Sequence, residues 1–173
     1  MQYIITAPSR LQTQVDLPAS KSISNRALII HALSGGDDFP QNLSDCDDTE
    51  VTLRALKQMP DVIDIKAAGT AMRFLTAYLS VTPGEHTITG TDRMKHRPIK
   101  ILVDALRYLG ADIDYVGEEG FPPLRIRGHQ LDGSAIAIPG NVSSQYISAL
   151  LMIGPALKNG LQLRLTGEII SRP

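Results

Sequence analysis

The stretch LPASKSISNRALII, residues 17–30, sets Ser20, Lys21, Ser22, Ser24 and Arg26 directly against an apolar run. Small and hydroxyl residues at a helix start let an anionic oxygen approach the unsatisfied N–H groups and the partial positive charge found there. Lys21 adds a compact charge suited to phosphate or carboxylate, and Arg26 a planar fork for bidentate recognition. A second stretch, AAGTAMR, offers Gly69 for close approach, Thr70 as cap or donor, and Arg73 one turn on. A third, NVSSQY, aligns Ser143, Ser144 and Gln145, donors enough for the phosphate and hydroxyl groups of a polar ligand. The loop RMKHRP gathers Arg93, Lys95, His96 and Arg97. Each stretch taken alone also fits ordinary helix capping or a solvated surface. Together, three donor-rich helix entrances and one basic loop imply convergence on a polyanionic small molecule.

The elements that must position these groups repeat along the chain. HTITG at 86–90, LRIRG at 124–128 and LQLRLTG at 161–167 alternate and end in glycine, as strands closed by turns do. Two of them run on into Arg-Pro, at Pro98 and Pro173, which suggests a structural repeat. Helices with hydroxyl-rich entrances are expected at 67–80 and 139–154, and the stretch ASKSISNRALIIHALS has the same character. Helices of a second kind are expected at 47–59, with Asp or Thr able to cap it, and at 97–110. In the latter Ile99, Leu102, Val103, Leu106 and Leu109 recur at helical spacing, Pro98 suits the first turn and Gly110 the C-terminal end. Strands DVIDI at 61–65 and ADIDYV at 111–116 follow them. This order reads as α/β, and strand pairs without intervening helices predict mixed rather than purely parallel sheets.

Composition bounds the function. The 173 residues, 43% hydrophobic and 20% charged with a net charge of −1, exclude a disordered chain and a general binder of nucleic acid, so attraction for anions must be local. No apolar run approaches the roughly 20 residues that span a bilayer, and MQYIITAPSR lacks the pattern of a signal peptide, which makes the cytoplasm the expected setting. The single Cys46 lies among Asp45, Asp47 and Asp48, whose charges are expected to raise its thiol pKa, so it reads as an ordinary residue. His31, His86, His96 and His129 show no ligand-pair spacing, and no metal site is expected.

In their order, LPASKSISNRAL, NLSDCDDTEVTLRAL, AAGTAMRFL, DRMKHRPIKILVDALRYLGADIDY, FPPLRIRG and VSSQYISALLM resemble the 5-enolpyruvylshikimate-3-phosphate synthases, or 3-phosphoshikimate 1-carboxyvinyltransferases, over almost the whole chain. The resemblance implies repeated βαβαββ units of an inside-out α/β barrel, and transfer of the enolpyruvyl group of phosphoenolpyruvate to the 5-hydroxyl of shikimate 3-phosphate with release of phosphate. It implies no metal or organic cofactor. Carried over by motif, Lys21 touches both substrates; Ser22 and Arg26 hold shikimate 3-phosphate; Gly69 and Arg97 bind phosphoenolpyruvate, with Thr70 and Arg73 beside them; Ser143, Ser144, Gln145 and Ser171 bind the phosphate and ring side of shikimate 3-phosphate.

Two departures stand out. Ala67 occupies a position where the family commonly has Asn, and the segment between Met59 and Ala67 is short. The chain also resembles only an N-terminal part of the family: residues 17–173 correspond to about two repeat units, and residues 1–16 to a strand that belongs with the C-terminal domain. That missing domain is the expected protein partner, and it carries the family's acid and base carboxylates, so the chain alone is expected to bind substrates without turning them over. Two alternatives remain: a non-catalytic phosphometabolite-binding module, and a relative of the UDP-N-acetylglucosamine enolpyruvyl transferases, which lack the SKSxSxR and SSQ blocks and use a loop cysteine that Cys46 does not match.

Overall fold

The computed structural model describes residues 3–4, 6–10 and 12–170. Helices α1 (Lys21–Ser34), α2 (Asp47–Gln58) and α3 (Gly69–Val81) alternate with short strands β1 (Val62–Asp64) and β2 (Gly84–Thr89). A single helical turn α4 (Asp92–Lys95), then α5 (Lys100–Tyr108), lead to β3 (Asp112–Tyr115), β4 (Leu124–Gly128) and β5 (Ala135–Pro139). Helix α6 (Ser144–Ile153), a 3-10 turn and β6 (Gln162–Thr166) complete the order. The first sheet runs β1-β2-β4-β3 and the second β5-β6. β1 and β2 are parallel, β4 is antiparallel to both β2 and β3, and β5 and β6 are parallel. The first sheet is mixed, as the strand pairs without helices between them predict, and the second is a parallel pair.

The repeat is visible as two parallel crossovers, β1-α3-β2 and β5-α6-β6. Each is locked past its first strand by a bond to the threonine that ends its second: Ile65 N–H donates to Thr89 O at 2.9 Å, and Gly140 N–H to Thr166 O at 2.7 Å. Helix α3 is buried from Gly69 to Ser80 and contacts α1, α2, α6 and the first sheet. Burial on all sides requires its polar groups to be satisfied internally. Thr76 Oγ1 therefore donates to Met72 O at 2.7 Å and Ser80 Oγ to Thr76 O at 2.8 Å. The sheet shows period-two alternation: Ile63, Ile88, Ile113, Leu124 and Ile126 face the core. On the outer face Arg127 bridges Asp112 and Asp114 at 3.0 Å each.

Several local expectations are corrected. The helix expected at 97–110 starts at Lys100, because Ile99 N–H is committed to Gly120 O at 2.9 Å and Pro98 O accepts the Tyr146 hydroxyl at 2.7 Å. Neither Asp nor Thr caps α2; Cys46 holds the cap position without a side-chain cap bond, and Asp48 points elsewhere. The basic loop is partly helical, as α4. Apart from these corrections, the described residues before Ser20 form no regular element, which leaves open the expectation that residues 1–16 supply a strand to another domain.

Gly128 ends β4 opposite Gly84, where a Cβ would collide with the backbone carbonyl oxygens of Thr82 and Leu79. Those atoms cannot yield without moving the end of α3. Gly128→Ala is expected to destabilise the chain by about 2 kcal/mol or more, the usual cost of overpacking a rigid core, read as a lower urea midpoint at unchanged slope.

Candidate functional site

Four helices begin at one place, and one carboxylate ties them. Lys21, the first residue of α1, sets its Nζ 3.1 Å from Asp48 Oδ2 at the start of α2. Asp48 Oδ1 accepts the Thr70 N–H, in the first turn of α3, at 3.0 Å. Thr70 Oγ1 in turn accepts from Gln145 Nε2, in the first turn of α6, at 3.1 Å. The Asp48 side chain is 13% exposed and that of Lys21 48%, so the pair has a dry acceptor and a wet donor. Four helix N-termini concentrate partial positive charge, each about half an elementary charge, and Asp48 is the internal counter-charge among them.

Beside this hub lies a cluster of guanidinium groups. Arg73, 6% exposed, donates from Nη1 to Gly69 O at 2.7 Å and stands over the Tyr146 ring at 5.7 Å. Its Nε is buried with no hydrogen-bond partner. A Cβ at Gly69 would collide with Arg97 Nη1 and fall 2.8 Å from Arg73 Nη1, so only glycine lets both groups close over this backbone. Burial pushes the Arg73 guanidinium below its ordinary pKa; Arg97 acts in the same direction, while the Tyr146 hydroxyl and Asp48 oppose it. Arg97 also lines a cleft of about 380 Å³ with Ala67, Arg93 and Met94.

The predicted residues sort into groups. Lys21, Thr70 and Gln145 meet through Asp48; Gly69, Arg73 and Arg97 meet at the start of α3. Ser22 and Ser144 are exposed in the first turns of α1 and α6. Ser143 caps α6, its Oγ accepting the Gln145 N–H at 3.3 Å. Arg26 is more structural than its fork suggests: it donates to Ser22 O at 3.0 Å and Ser148 Oγ at 2.8 Å, and stacks on Phe74 at 5.3 Å. Ser20 and Ser24 serve the fold, Ser20 as the α1 cap and Ser24 by accepting the Ser44 N–H at 2.9 Å. Ser171 lies outside the described residues. Asp48 was missed as an organising group, since within DCDDTE it is one of several acids that suit a helix start; only its partners distinguish it.

Cys46 corrects an expectation. Burial raises its thiol pKa, but the hydroxyls of Ser44 and Thr49 and the Lys21 ammonium outweigh that, leaving it below the ordinary value rather than above. The Cys46 Sγ lies 3.3 Å from Thr49 Oγ1.

Comparison with known proteins gives one answer. The family described as EPSP synthase (3-phosphoshikimate 1-carboxyvinyltransferase) matches residues 5–62 and 58–173. A 3-phosphoshikimate 1-carboxyvinyltransferase of Bacteroides fragilis is 73% identical over 173 residues, covering 100% of this chain and 42% of its own length. One from Shewanella halifaxensis is 40% identical over 185 residues, covering 92% of this chain and 43% of its own. The solved structure of an EPSP synthase from Acinetobacter baumannii superposes with a TM-score of 0.71 at 25% identity, over 83% of this chain and 38% of that one. The chain thus spans less than half the length of these relatives.

The hub makes a ranked prediction. Asp48→Asn keeps an acceptor for the Thr70 N–H and loses only the charge, whereas Asp48→Ala leaves that N–H unpaired. Urea denaturation is expected to rank wild type, Asn and Ala in falling stability, with Ala below Asn by about 1–2 kcal/mol and Asn below wild type by no more than about 1 kcal/mol, because the Lys21 partner is half exposed. At Cys46, the pH profile of thiol labelling is expected to have its midpoint below that of a free cysteine, and Thr49→Val to move it upward.

Proposed function

Since the chain belongs to the EPSP synthase (3-phosphoshikimate 1-carboxyvinyltransferase) family, we propose that it forms the N-terminal share of the site that transfers the enolpyruvyl group of phosphoenolpyruvate to the 5-hydroxyl of shikimate 3-phosphate, with release of inorganic phosphate. The observation that supports this best is the junction at Asp48, where Lys21, Thr70 and Gln145 meet beside Gly69, Arg73 and Arg97. Two anionic substrates need two neighbouring groups of donors. One lies at the starts of α1 and α6, where Lys21, Ser22, Ser143, Ser144 and Gln145 suit shikimate 3-phosphate, with Arg26 bracing the two helices through Ser148. The other lies at the start of α3, where Gly69 and Arg97 suit phosphoenolpyruvate. Lys21, paired with Asp48, which also accepts the Thr70 N–H, links the two groups and is assigned to both substrates.

The donors bind, orient and neutralise; enolpyruvyl transfer further requires a proton to leave the hydroxyl and one to reach the methylene carbon. Asp48 is engaged by Lys21 and the Thr70 N–H, and among the described residues no other carboxylate is ion-paired or hydrogen-bonded to Lys21, Thr70 or Gln145. The reading therefore assigns the acid and base, and the second half of the electrostatic cradle, to the remainder of the enzyme, to which residues 1–16 contribute a strand while residues 17–173 form about two repeat units of the N-terminal domain. Lacking general acid–base groups costs on the order of a hundredfold to ten-thousandfold, and lacking half the cradle on the order of another hundredfold. The chain alone is a substrate-binding but catalytically incomplete unit, working without a cofactor and in the cytoplasm.

Calorimetric titration of the 173-residue chain with shikimate 3-phosphate tests this. Saturable binding is expected, weakened roughly tenfold by Lys21→Ala, which removes one charge-assisted contact. A folded chain that gives no heat, or a Lys21→Ala variant that binds as the wild type does, would count against it.

A further inference from the structure

Tyr146 reaches further across the junction than its place in the sequence suggests. It follows Gln145 in the first turn of α6 and is 6% exposed. Its hydroxyl donates to Pro98 O at 2.7 Å, 48 residues away along the chain, and the Arg73 guanidinium stands over its ring at 5.7 Å. Burial lowers the Arg73 pKa, and Tyr146 is the largest influence opposing that. A phenylalanine would fill the same space with the same ring, so only the hydroxyl makes the connection to Pro98. A buried hydroxyl needs an acceptor, but here the acceptor belongs to the residue that directly follows Arg97.

The segment Arg97–Ile99 is pinned at three points. The Arg97 N–H donates to Met94 O at 3.0 Å, the Ile99 N–H donates to Gly120 O at 2.9 Å, and Pro98 O accepts the Tyr146 hydroxyl. The first two tie the segment to α4 and to the loop before β4; only the third ties it to α6. Proline has a fixed φ and the peptide bond before it is planar, so a single soft torsion separates the Pro98 carbonyl from the Arg97 Cα. Holding that carbonyl therefore restrains Arg97, whose guanidinium closes over Gly69 beside that of Arg73.

We infer that Tyr146 is a positioning residue for Arg97: its hydroxyl holds the Arg97–Pro98 segment at a set distance from the start of α6, and so aims the Arg97 fork relative to Ser144 and Gln145. This rests on the proposed function, which assigns Arg97 to phosphoenolpyruvate and the start of α6 to shikimate 3-phosphate, and it adds the residue that fixes the spacing between the two. A planar fork bonds an acidic group through two parallel N–H groups, which makes it sensitive to orientation where a point charge is not. Loss of the hydroxyl thus penalises the ligand held by Arg97. The ligand at α6 is spared, because Gln145 is fixed separately by Thr70 at 3.1 Å.

The test compares the wild-type 173-residue chain with Tyr146→Phe by calorimetric titration, with phosphoenolpyruvate and separately with shikimate 3-phosphate, each into the millimolar range. Tyr146→Phe is expected to weaken phosphoenolpyruvate about three- to tenfold, the usual net worth of one hydrogen bond, and to leave shikimate 3-phosphate affinity unchanged, which also shows that the variant is folded. In isotopically labelled chains the Arg97 Nε–Hε resonance is expected to move less at saturating phosphoenolpyruvate in the variant than in the wild type. Equal phosphoenolpyruvate affinity in both proteins refutes the role of Tyr146 and leaves the proposed function standing. A parallel loss of both ligands refutes it too, because the hydroxyl then serves only the stability of the fold, and weaker phosphoenolpyruvate binding with an unaltered Arg97 resonance refutes action through Arg97. If the wild type binds shikimate 3-phosphate but not phosphoenolpyruvate, the phosphoenolpyruvate side of the proposed function falls and the positioning role falls with it. If neither ligand binds a folded wild-type chain, the proposed function itself falls.

Discussion

The bond pattern of a single carboxylate, Asp48, makes the convergence of four helix starts tolerable. Each start brings orphan N–H groups and a partial positive charge, and Lys21 adds a full one. Left unbalanced, such a junction would push its helices apart or draw water between them. Asp48 accepts from Lys21 Nζ at 3.1 Å and from the Thr70 N–H at 3.0 Å, and Thr70 passes the connection to Gln145 at 3.1 Å. One acidic group thus joins α1, α2, α3 and α6 while leaving their outward-facing donors free of one another.

That junction can be rigid because α3 is. A helix buried along its length has no water to satisfy side-chain polar groups, and α3 closes Thr76, Ser80 and Arg73 onto its own carbonyls. It stands between the first sheet and α6, so both donor groups are measured from the same fixed helix. The duplicated crossover explains why two entrances with similar chemistry arise side by side: β1-α3-β2 and β5-α6-β6 each deliver a helix start at the same end of a parallel pair. The arginine cluster lies just beyond, where β2 hands over to α4, within reach of the start of α3 at Gly69.

Much of this was legible in the residues. Period-two alternation marked the strands and the 3.6-residue spacing marked α5, because burial of one face leaves a periodic record that neighbours in sequence share. The glycine-closed strands disclosed the repeat, and the small and hydroxyl residues at helix starts disclosed where anions can approach. Boundaries slipped where a distant partner intervened. Pro98 lies outside α5 because its carbonyl serves Tyr146, and α2 goes without a side-chain cap because Cys46 rather than an Asp or Thr holds its cap position.

What the sequence determined by itself is the inventory: which helices have donor-rich starts, that a mixed sheet is present, that positive charge is concentrated in a chain of near-neutral net charge, and to which family the ordered blocks belong. What only the tertiary structure decided is allocation. Of three serines at the start of α1, two serve the fold, and of four cations in RMKHRP, two are consumed locally while Arg93 and Arg97 share a cleft. Of the acids near Cys46, Asp48 alone becomes the centre of the junction, and the thiol answers to Ser44, Thr49 and Lys21 rather than to its acidic neighbours in the chain. The reason is physical. Hydrogen bonds and charges act over a few ångströms in space, and the partners that join Asp48 to Thr70 and Arg26 to Ser148 lie 22 and 122 residues away along the chain, where no local pattern can record them.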